Sequence, residues 1–150
     1  MKSIAIFLSV LFLTLVSCDK DDENDPNEVT LTTAEIPADI KTYVDTHFAS
    51  TTINRAVKDT EKGVVSYEIY LSGNVELEFD SMYEITDIDG RTQLPDSVIP
   101  NTILAYVKQN YANQLITDWE LELDHQQVEL NNGVELEFAM NGDFLRIDKD

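Results

Sequence analysis

Cysteine and basic residues are scarce in this chain. Of its 150 residues only Cys18 is a cysteine, which excludes an intramolecular disulfide framework and a cysteine-based metal site. Ten Lys and Arg stand against 29 Asp and Glu, giving a formal net charge of −19. Such a surplus of negative charge repels nucleic acid and anionic headgroups, and it favours cations or basic proteins. We therefore expect no nucleic-acid partner.

The first 18 residues combine one basic residue with a short apolar run. Lys2 precedes the run from Ile4 to Val16, which is too short for an ordinary membrane span and is typical of a signal peptide. The run ends in Leu-Val-Ser-Cys, which resembles a bacterial lipobox, and the resemblance implies cleavage before Cys18 and lipidation of that cysteine. We predict a lipoprotein signal peptide at residues 1–17; a small buried thiol at Cys18 is the alternative.

An acidic run follows Cys18. Asp19, Asp21, Asp22, Glu23 and Asp25 surround Lys20 with no apolar periodicity, so residues 18–33 are predicted to form a disordered tether. A lysine among acidic residues also resembles the signal that sorts some lipoproteins to the outer face of the outer membrane. The resemblance implies a lipid-anchored protein at the cell surface. A plain spacer on a periplasm-facing anchor remains the alternative.

The remaining chain contains two copies of one pattern. Residues 36–49 and 99–112 share Ile, Pro, Ile, Tyr, Val and Ala at matching positions, and the pentapeptide "VELEF" occurs at 75–79 and 134–138. In each IP-stretch apolar residues recur every fourth position, as on the buried face of a helix. These residues are Ile36, Ile40, Val44 and Phe48, then Ile99, Ile103, Val107 and Tyr111.

The apolar period falls to two after each helix, which predicts strands. Ser72–Asn74 and Asn132–Gly133 are hairpin turn signals between alternating segments. We predict an α+β fold of two tandem αβ4 units, residues 34–95 and 96–150, in one domain at 34–150. Their antiparallel sheet should carry both helices on one face.

The segments "NNGVELEF" and "NGDFLRID", together with the Pro-initiated helix, resemble the PepSY-like family, which is described as similar to β-lactamase inhibitor protein. The resemblance implies a curved antiparallel sheet with helices on one side and an exposed interaction face. It also implies a secreted or lipid-anchored protein, and some members are suspected of responding to calcium. No inhibitory residue can be transferred to this chain.

Strand alternation predicts a strongly acidic outward face. Trp119, Leu121 and Leu123 should point inward, and Asp118 should point outward. We predict a non-catalytic module that binds a protein or basic peptide, with inhibition of the partner as one form of that binding, and with a tyrosine as aromatic anchor. The predicted partner-binding residues are Glu68, Tyr70, Glu76, Glu78, Glu120, Glu122, Glu135 and Glu137.

Two chemical alternatives accompany this prediction. Outward carboxylates two residues apart are spaced by about 7 Å, which suits a glycosidase acid and base, but no sequence feature indicates a desolvated carboxylate. "DIDG" at Asp87–Gly90 opens like a calcium loop but has Val98 at the twelfth position, leaving only a looser oxygen site from Asp80, Asp87 or Asp89. We predict no enzymatic activity and no cofactor, with Ca²⁺ as the alternative.

The two histidines belong to no feature that the repeats share. His47 lies where the second unit has Asn110, and His125 corresponds to Ser66. We therefore expect both side chains to be surface or half-buried fillers rather than metal ligands or general bases.

Overall fold

The computed structural model describes residues 27–148. The predicted signal peptide, Cys18 and most of the predicted tether lie outside the described residues. The described chain forms, in order, β1 (Val29–Thr30), α1 (Ala38–His47), β2 (Ile53–Glu61), β3 (Val64–Leu71), β4 (Val75–Phe79), β5 (Ile85–Gly90), α2 (Asn101–Asn110), β6 (Ile116–Leu121), β7 (His125–Leu130), β8 (Glu135–Ala139) and β9 (Phe144–Ile147).

All nine strands form one antiparallel sheet whose spatial order follows the chain. The predicted order of one helix and four strands occurs twice, as α1 with β2–β5 and as α2 with β6–β9. Pairing of β5 with β6 joins these two halves into a continuous sheet. The predicted antiparallel sheet with two helices is therefore confirmed.

The strand β1, which belongs to neither repeat, lies within the segment predicted to be a disordered tether. Val29 pairs with Lys58 and Thr30 with Val57, and the Leu31 N–H donates to the Ala56 carbonyl at 2.8 Å. Ordered chain thus begins before the predicted boundary at Ala34. The reason is that the acidic run ends at Glu28, and the β-branched Val29 and Thr30 that follow can pair with the edge of β2.

Each helix starts directly after a proline, and the predicted apolar stripes are buried except for Tyr111, which is half-buried at the end of α2. Pro37 and Pro100 occupy the N-cap positions. A proline suits the opening of a helix because its missing N–H would have no intrahelical partner there. The buried residues within the helices are Ile40 and Val44 in α1 and Ile103 and Val107 in α2.

The helices pack against the strand residues of a single hydrophobic core. Tyr43 of α1 meets Phe79 edge-on at 5.4 Å between ring centroids, and Tyr106 of α2 meets Phe138 in the same way at 5.4 Å. We call this side of the sheet the core face and the opposite side the outward face. Fully buried strand residues of the core face include Ile69, Leu77, Phe79, Ile88, Val128, Leu136 and Phe138.

Two predicted strand positions lie beyond a strand end. Trp119 is buried as predicted, but Leu123 is fully exposed at 101% of its reference area. The cause is that β6 ends at Leu121, so Leu123 and the preceding Glu122 lie in the connection to β7. The inward assignment of Leu123 was wrong because the apolar alternation continued past the end of the strand pairing.

The histidines are half-buried in the described structure. His47 Nδ1 lies 3.0 Å from Ser97 Oγ, and His125 Nδ1 lies 2.8 Å from Asp124 Oδ1.

Across residues 27–148, neither helix has the length and apolar character needed to cross a membrane.

Candidate binding face of the sheet

Two rows of mostly polar side chains cross the outward face, one from β2 to β8 and the other from β2 to β9, with one residue from each strand crossed. We name each row by its member on β3. The Tyr70 row consists of Arg55, Tyr70, Glu76, Asp89, Asp118, Glu129 and Glu135. The Glu68 row consists of Val57, Glu68, Glu78, Asp87, Glu120, Gln127, Glu137 and Arg146.

Carboxylates oppose one another directly in the middle of both rows. From β4 to β6, Glu76 pairs with Asp89, which pairs with Asp118, while Glu78 pairs with Asp87, which pairs with Glu120. Cβ atoms of directly opposed residues are about 4.5–5.5 Å apart, so like charges in these positions destabilise the sheet. We call these six carboxylates the central acidic patch.

Burial and mutual repulsion raise the pKa of several carboxyl groups in the central acidic patch. Burial, followed by the charges of Glu120 and Glu78, raises the pKa of Asp87 to about 7. Burial, followed by the charge of Asp87, raises the pKa of Asp118 to about 7 as well. The pKa of Glu78 is raised by the same two causes, with desolvation the larger. These two aspartates therefore carry fractional charge near neutral pH.

This perturbation corrects one expectation from the sequence, which indicated no desolvated carboxylate. Asp87 and Asp89 were considered there only as calcium ligands, although they belong to the same face as the predicted glutamates. Their alternation about Ile88 was visible, but the sequence does not say which strands lie beside β5. The desolvation of Asp87 depends on its neighbours from β4 and β6 and could not be read from its own segment.

At the β2–β3 end of the face, the predicted aromatic anchor already has partners. The Arg55 guanidinium carbon lies 5.2 Å from the centre of the Tyr70 ring. The Tyr70 hydroxyl donates to Glu68 Oε2 at 2.6 Å, and burial, Glu68 and Glu76 together raise the pKa of Tyr70. Arg55 also forms an ion pair with Glu28 at 3.2 Å. Tyr70 therefore forms part of a local cluster rather than a free contact for a partner.

At the β7–β9 end, two predicted binding residues are engaged within the chain. Glu137 lies in the Glu68 row, but it is only 4% exposed and its Oε1 contacts Arg146 Nη2 at 2.6 Å. Its assignment to an accessible surface was wrong because Arg146 of β9 lies against it. Glu135 Oε2 accepts a hydrogen bond from Gln127 Nε2 at 2.9 Å.

The structure thus divides the eight predicted partner-binding residues into three groups. Glu76, Glu78 and Glu120 belong to the central acidic patch. Glu68, Tyr70, Glu135 and Glu137 lie in the same two rows but have side-chain partners within the chain, and Glu122 lies beyond the end of β6.

Two open hollows adjoin the central acidic patch. One, of about 330 Å³, is lined by Glu78, Asp87 and Glu120 with apolar Val65 and Leu121 at its side. The other, of about 320 Å³, lies beside Asp118 and Glu129, and Arg91 also lines it. Each hollow is large enough for a long side chain, and the first combines negative charge with apolar surface.

The described residues do not form a preassembled metal centre. Across residues 27–148, no group of three or more His, Cys, Asp or Glu side chains is arranged to hold a metal ion. Asp80, considered above as a calcium ligand, instead caps a turn, because its Oδ1 accepts the N–H groups of Met82 and Glu84 at 2.8 and 3.0 Å. The residues of the looser calcium site therefore do not fit the ion in this arrangement.

Both halves of the chain match one known protein family. A family model described as "Putative beta-lactamase-inhibitor-like, PepSY-like" matches residues 22–87 and 65–146. The chain belongs to the PepSY-like family. The two overlapping matches correspond to the repeated order of helix and strands, and no curated protein matches this PepSY-like chain.

Solved structures share the PepSY-like fold over nearly their whole length. One from Bacteroides thetaiotaomicron, described as a "putative calcium-regulated periplasmic protein", is 23% identical with a TM-score of 0.78, covering 83% of this chain and 98% of its own. A "putative periplasmic protein" from Bacteroides vulgatus is 26% identical with a TM-score of 0.77, covering 85% and 99%. A second one from that organism, of unknown function, is 26% identical with a TM-score of 0.76, covering 81% and 99%. These similarities show that this chain shares its fold with proteins described as periplasmic.

Proposed function

We propose that this PepSY-like chain is a lipid-anchored binding module whose outward face recognises basic segments of a protein or peptide. The observation that carries the proposal is the central acidic patch, where six carboxylates of three adjacent strands face outward while the helices pack on the other side. Concentrated negative potential accelerates encounter with a basic partner and disfavours acidic ones.

The two hollows suggest how such a partner is held. A lysine or arginine in the hollow beside Asp87 would place its charge among Glu78, Asp87 and Glu120 and its methylenes near Val65 and Leu121. Relief of carboxylate repulsion adds to this attraction. A basic side chain with an apolar neighbour is therefore the recognition element that the face fits best.

The raised pKa values do not by themselves make an enzyme. Glycoside hydrolysis needs one protonated and one ionised carboxyl group with different environments. Here burial and neighbouring carboxylates raise the pKa of Asp87 and Asp118 alike, to about 7. The symmetry of the two environments favours a binding role over a surface hydrolase.

Calcium-responsive binding is the second candidate. One structural neighbour is described as calcium-regulated, and the dense carboxylates of the acidic patch would attract a divalent cation. Because the described residues offer no preassembled ligand group, calcium would act here by neutralising the face rather than by filling a formed site.

Charge reversal on the face tests the proposal. We would compare the wild type, Glu76→Lys/Glu78→Lys on β4, and Asp39→Lys/Asp45→Lys on the exposed side of α1, which changes the net charge equally. The probes are synthetic peptides carrying Lys or Arg beside an apolar residue, and acidic peptides of matched length, measured by fluorescence anisotropy. We expect the β4 variant alone to lose binding of the basic peptides.

Measurements with added salt and with added calcium distinguish the two candidate functions. Binding to the face should weaken at high salt, and it should compete with calcium only if the ion neutralises the same carboxylates. Equal loss of binding in both charge variants would mean that net charge alone matters and would refute a recognition face. Loss of peptide binding on addition of calcium would favour the second candidate, in which the ion neutralises the face.

The anchor is a separate part of the proposal. Cleavage before Cys18 and its lipidation should give a membrane-associated protein whose intact mass corresponds to residues 18–150 plus acyl chains. Cys18→Ala should release the chain from the membrane fraction. Protease added to intact cells then distinguishes an anchor at the cell surface, where the chain is cleaved, from one facing the periplasm, where it is protected.

A further inference from the structure

The pairing of β5 with β6, which we call the seam, holds the two halves of the sheet together through few residues. Three residue pairs form its register, Asp87 with Glu120, Ile88 with Trp119 and Asp89 with Asp118, compared with five pairs between β3 and β4. Two of the three pairs oppose carboxyl groups. The seam is therefore short and carries like charges across its whole outward side.

The two faces of the seam act in opposite directions. On the core face Ile88 is fully buried against the 6% exposed Trp119, whose Nε1 donates to Gln126 Oε1 at 3.1 Å. This contact excludes water and holds the strands together. On the outward face the opposed carboxyl groups repel whenever they are ionised. The balance between the faces depends on how many of these groups carry a proton.

The groups that face the two aspartates are almost all acidic. Asp87 is faced by Glu76 and Glu78 from β4, by Glu120 from β6 and by Asp89 of its own strand. Asp118 is faced by Asp87 and Asp89 from β5, by Glu129 from β7 and by Glu120 of its own strand. Arg91 is a cation that lines the hollow beside Asp118. Its presence leaves the pKa of Asp118 raised, so the carboxylates and burial dominate.

We propose that the seam is a pH-sensitive joint between the two halves of the sheet. Protonation of Asp87 and Asp118 removes the repulsion across β5 and β6 and lets each carboxyl group donate a hydrogen bond to a neighbouring carboxylate. Ionisation restores the repulsion and loosens the pairing. This property belongs to the free protein and does not depend on whether the face binds a partner.

The direction of the effect follows from proton linkage. Both aspartates release their protons with a pKa of about 7 in the closed seam, against 3.8 for an ordinary aspartate. The closed seam therefore binds more protons than the open one between these values, and acid favours closure. If its pKa shift acted in full, each aspartate would raise the opening equilibrium constant of the seam about tenfold per pH unit between about pH 4 and pH 7. Partial solvation of the carboxyl groups reduces this dependence on pH.

Amide hydrogen exchange of the folded chain tests the joint strand by strand. Opening equilibria of β5 and β6, corrected for the intrinsic pH dependence of exchange, should rise at least about tenfold from pH 5 to pH 7.5 and then level off. Amides in β2 and β3 should change several-fold less. A flat profile at the seam, or the same rise in every strand, would overturn the proposal.

Two variants and one titration make the test specific. Asp87→Asn/Asp118→Asn should abolish the pH dependence at the seam. Glu76→Gln/Glu129→Gln removes equal charge from the flanking strands and should keep it. Carbon NMR of the aspartate carboxyls in the unmodified protein should show both inflections near pH 7, and inflections near pH 4 would refute the joint even if a variant failed to fold.

Discussion

The pentapeptide "VELEF" occurs twice. The first copy, which begins at Val75, forms β4, and the second, which begins at Val134, contributes its last four residues to β8. The two copies have different surroundings. On the core face they are equivalent, because Leu77 and Phe79 in one and Leu136 and Phe138 in the other are completely buried. On the outward face they differ. Sequence determines the alternation of each copy, and the neighbouring strands determine its electrostatics.

The residues paired with the second glutamate of the pentapeptide are acidic in β4 and are not acidic in β8. Glu78 is flanked by Glu68 of β3 and Asp87 of β5. Its counterpart, Glu137, is flanked by Gln127 of β7 and by Arg146 of β9, with which it forms an ion pair at 2.6 Å. One glutamate therefore adds to the charge available to a partner, while the other stabilises the edge of the sheet.

The largest expected effect tests the equivalence of the core faces. Leu77→Ala and Leu136→Ala each remove a fully buried side chain, so each should lower the free energy of unfolding by about 3 kcal/mol. Urea denaturation followed by circular dichroism measures both, and the two losses should agree within about 1 kcal/mol. A biphasic transition in one variant only would contradict a core shared by both halves.

The core side of the fold was the predictable part. Apolar residues at helical spacing gave α1 and α2, and a period of two placed Leu77 and Leu136 inward, because burial acts on each element through its own sequence. The strand β1 was missed because two residues are too few to show a period. Leu123 was misplaced because alternation does not mark where strand pairing ends.

The negative charge of the outward face was predictable, but the burial and the pKa of its individual carboxyl groups were not. Alternation indicated that Glu76, Glu78 and Glu120 share one surface, and they do. The burial of Glu137 and the perturbed pKa of Asp87 depend on residues from other strands, Arg146 and Glu120 among them. Such effects require the register between strands, which a single segment does not contain.

The second prediction concerns the two equivalent glutamates and expects opposite signs. Glu137→Gln weakens the ion pair between the buried Glu137 and the exposed Arg146, and we expect a loss of about 1–2 kcal/mol in the free energy of unfolding. Glu78→Gln removes a charge opposed by Asp87 and should raise the free energy of unfolding by about 0.5–1 kcal/mol. Urea denaturation at pH 7 distinguishes the signs. Equal changes in both variants would mean that strand surroundings do not control these residues.

The third prediction concerns the pH dependence of stability in the central acidic patch. Asp87→Asn/Asp118→Asn should stabilise the chain by about 1–2 kcal/mol at pH 8, after allowance for partial exposure, because ionised forms of both groups are disfavoured in the fold. The gain should shrink as pH falls from about 7 towards about 4, where the wild-type carboxyls are themselves protonated. A pH-independent gain would point to packing rather than charge.

The smallest expected effect is the response to salt. Screening weakens repulsion within the central acidic patch, so raising NaCl from about 0.05 to 0.5 M should stabilise the wild type by less than about 1 kcal/mol. The same salt step should diminish the gain from Glu78→Gln, since that gain comes from removed repulsion. The cost of Glu137→Gln should change less, because the Glu137 side chain is shielded from solvent. Thermal unfolding of the three proteins across the salt series measures these differences, and a salt response that is equal in all three would show that the two copies of the pentapeptide experience the same field.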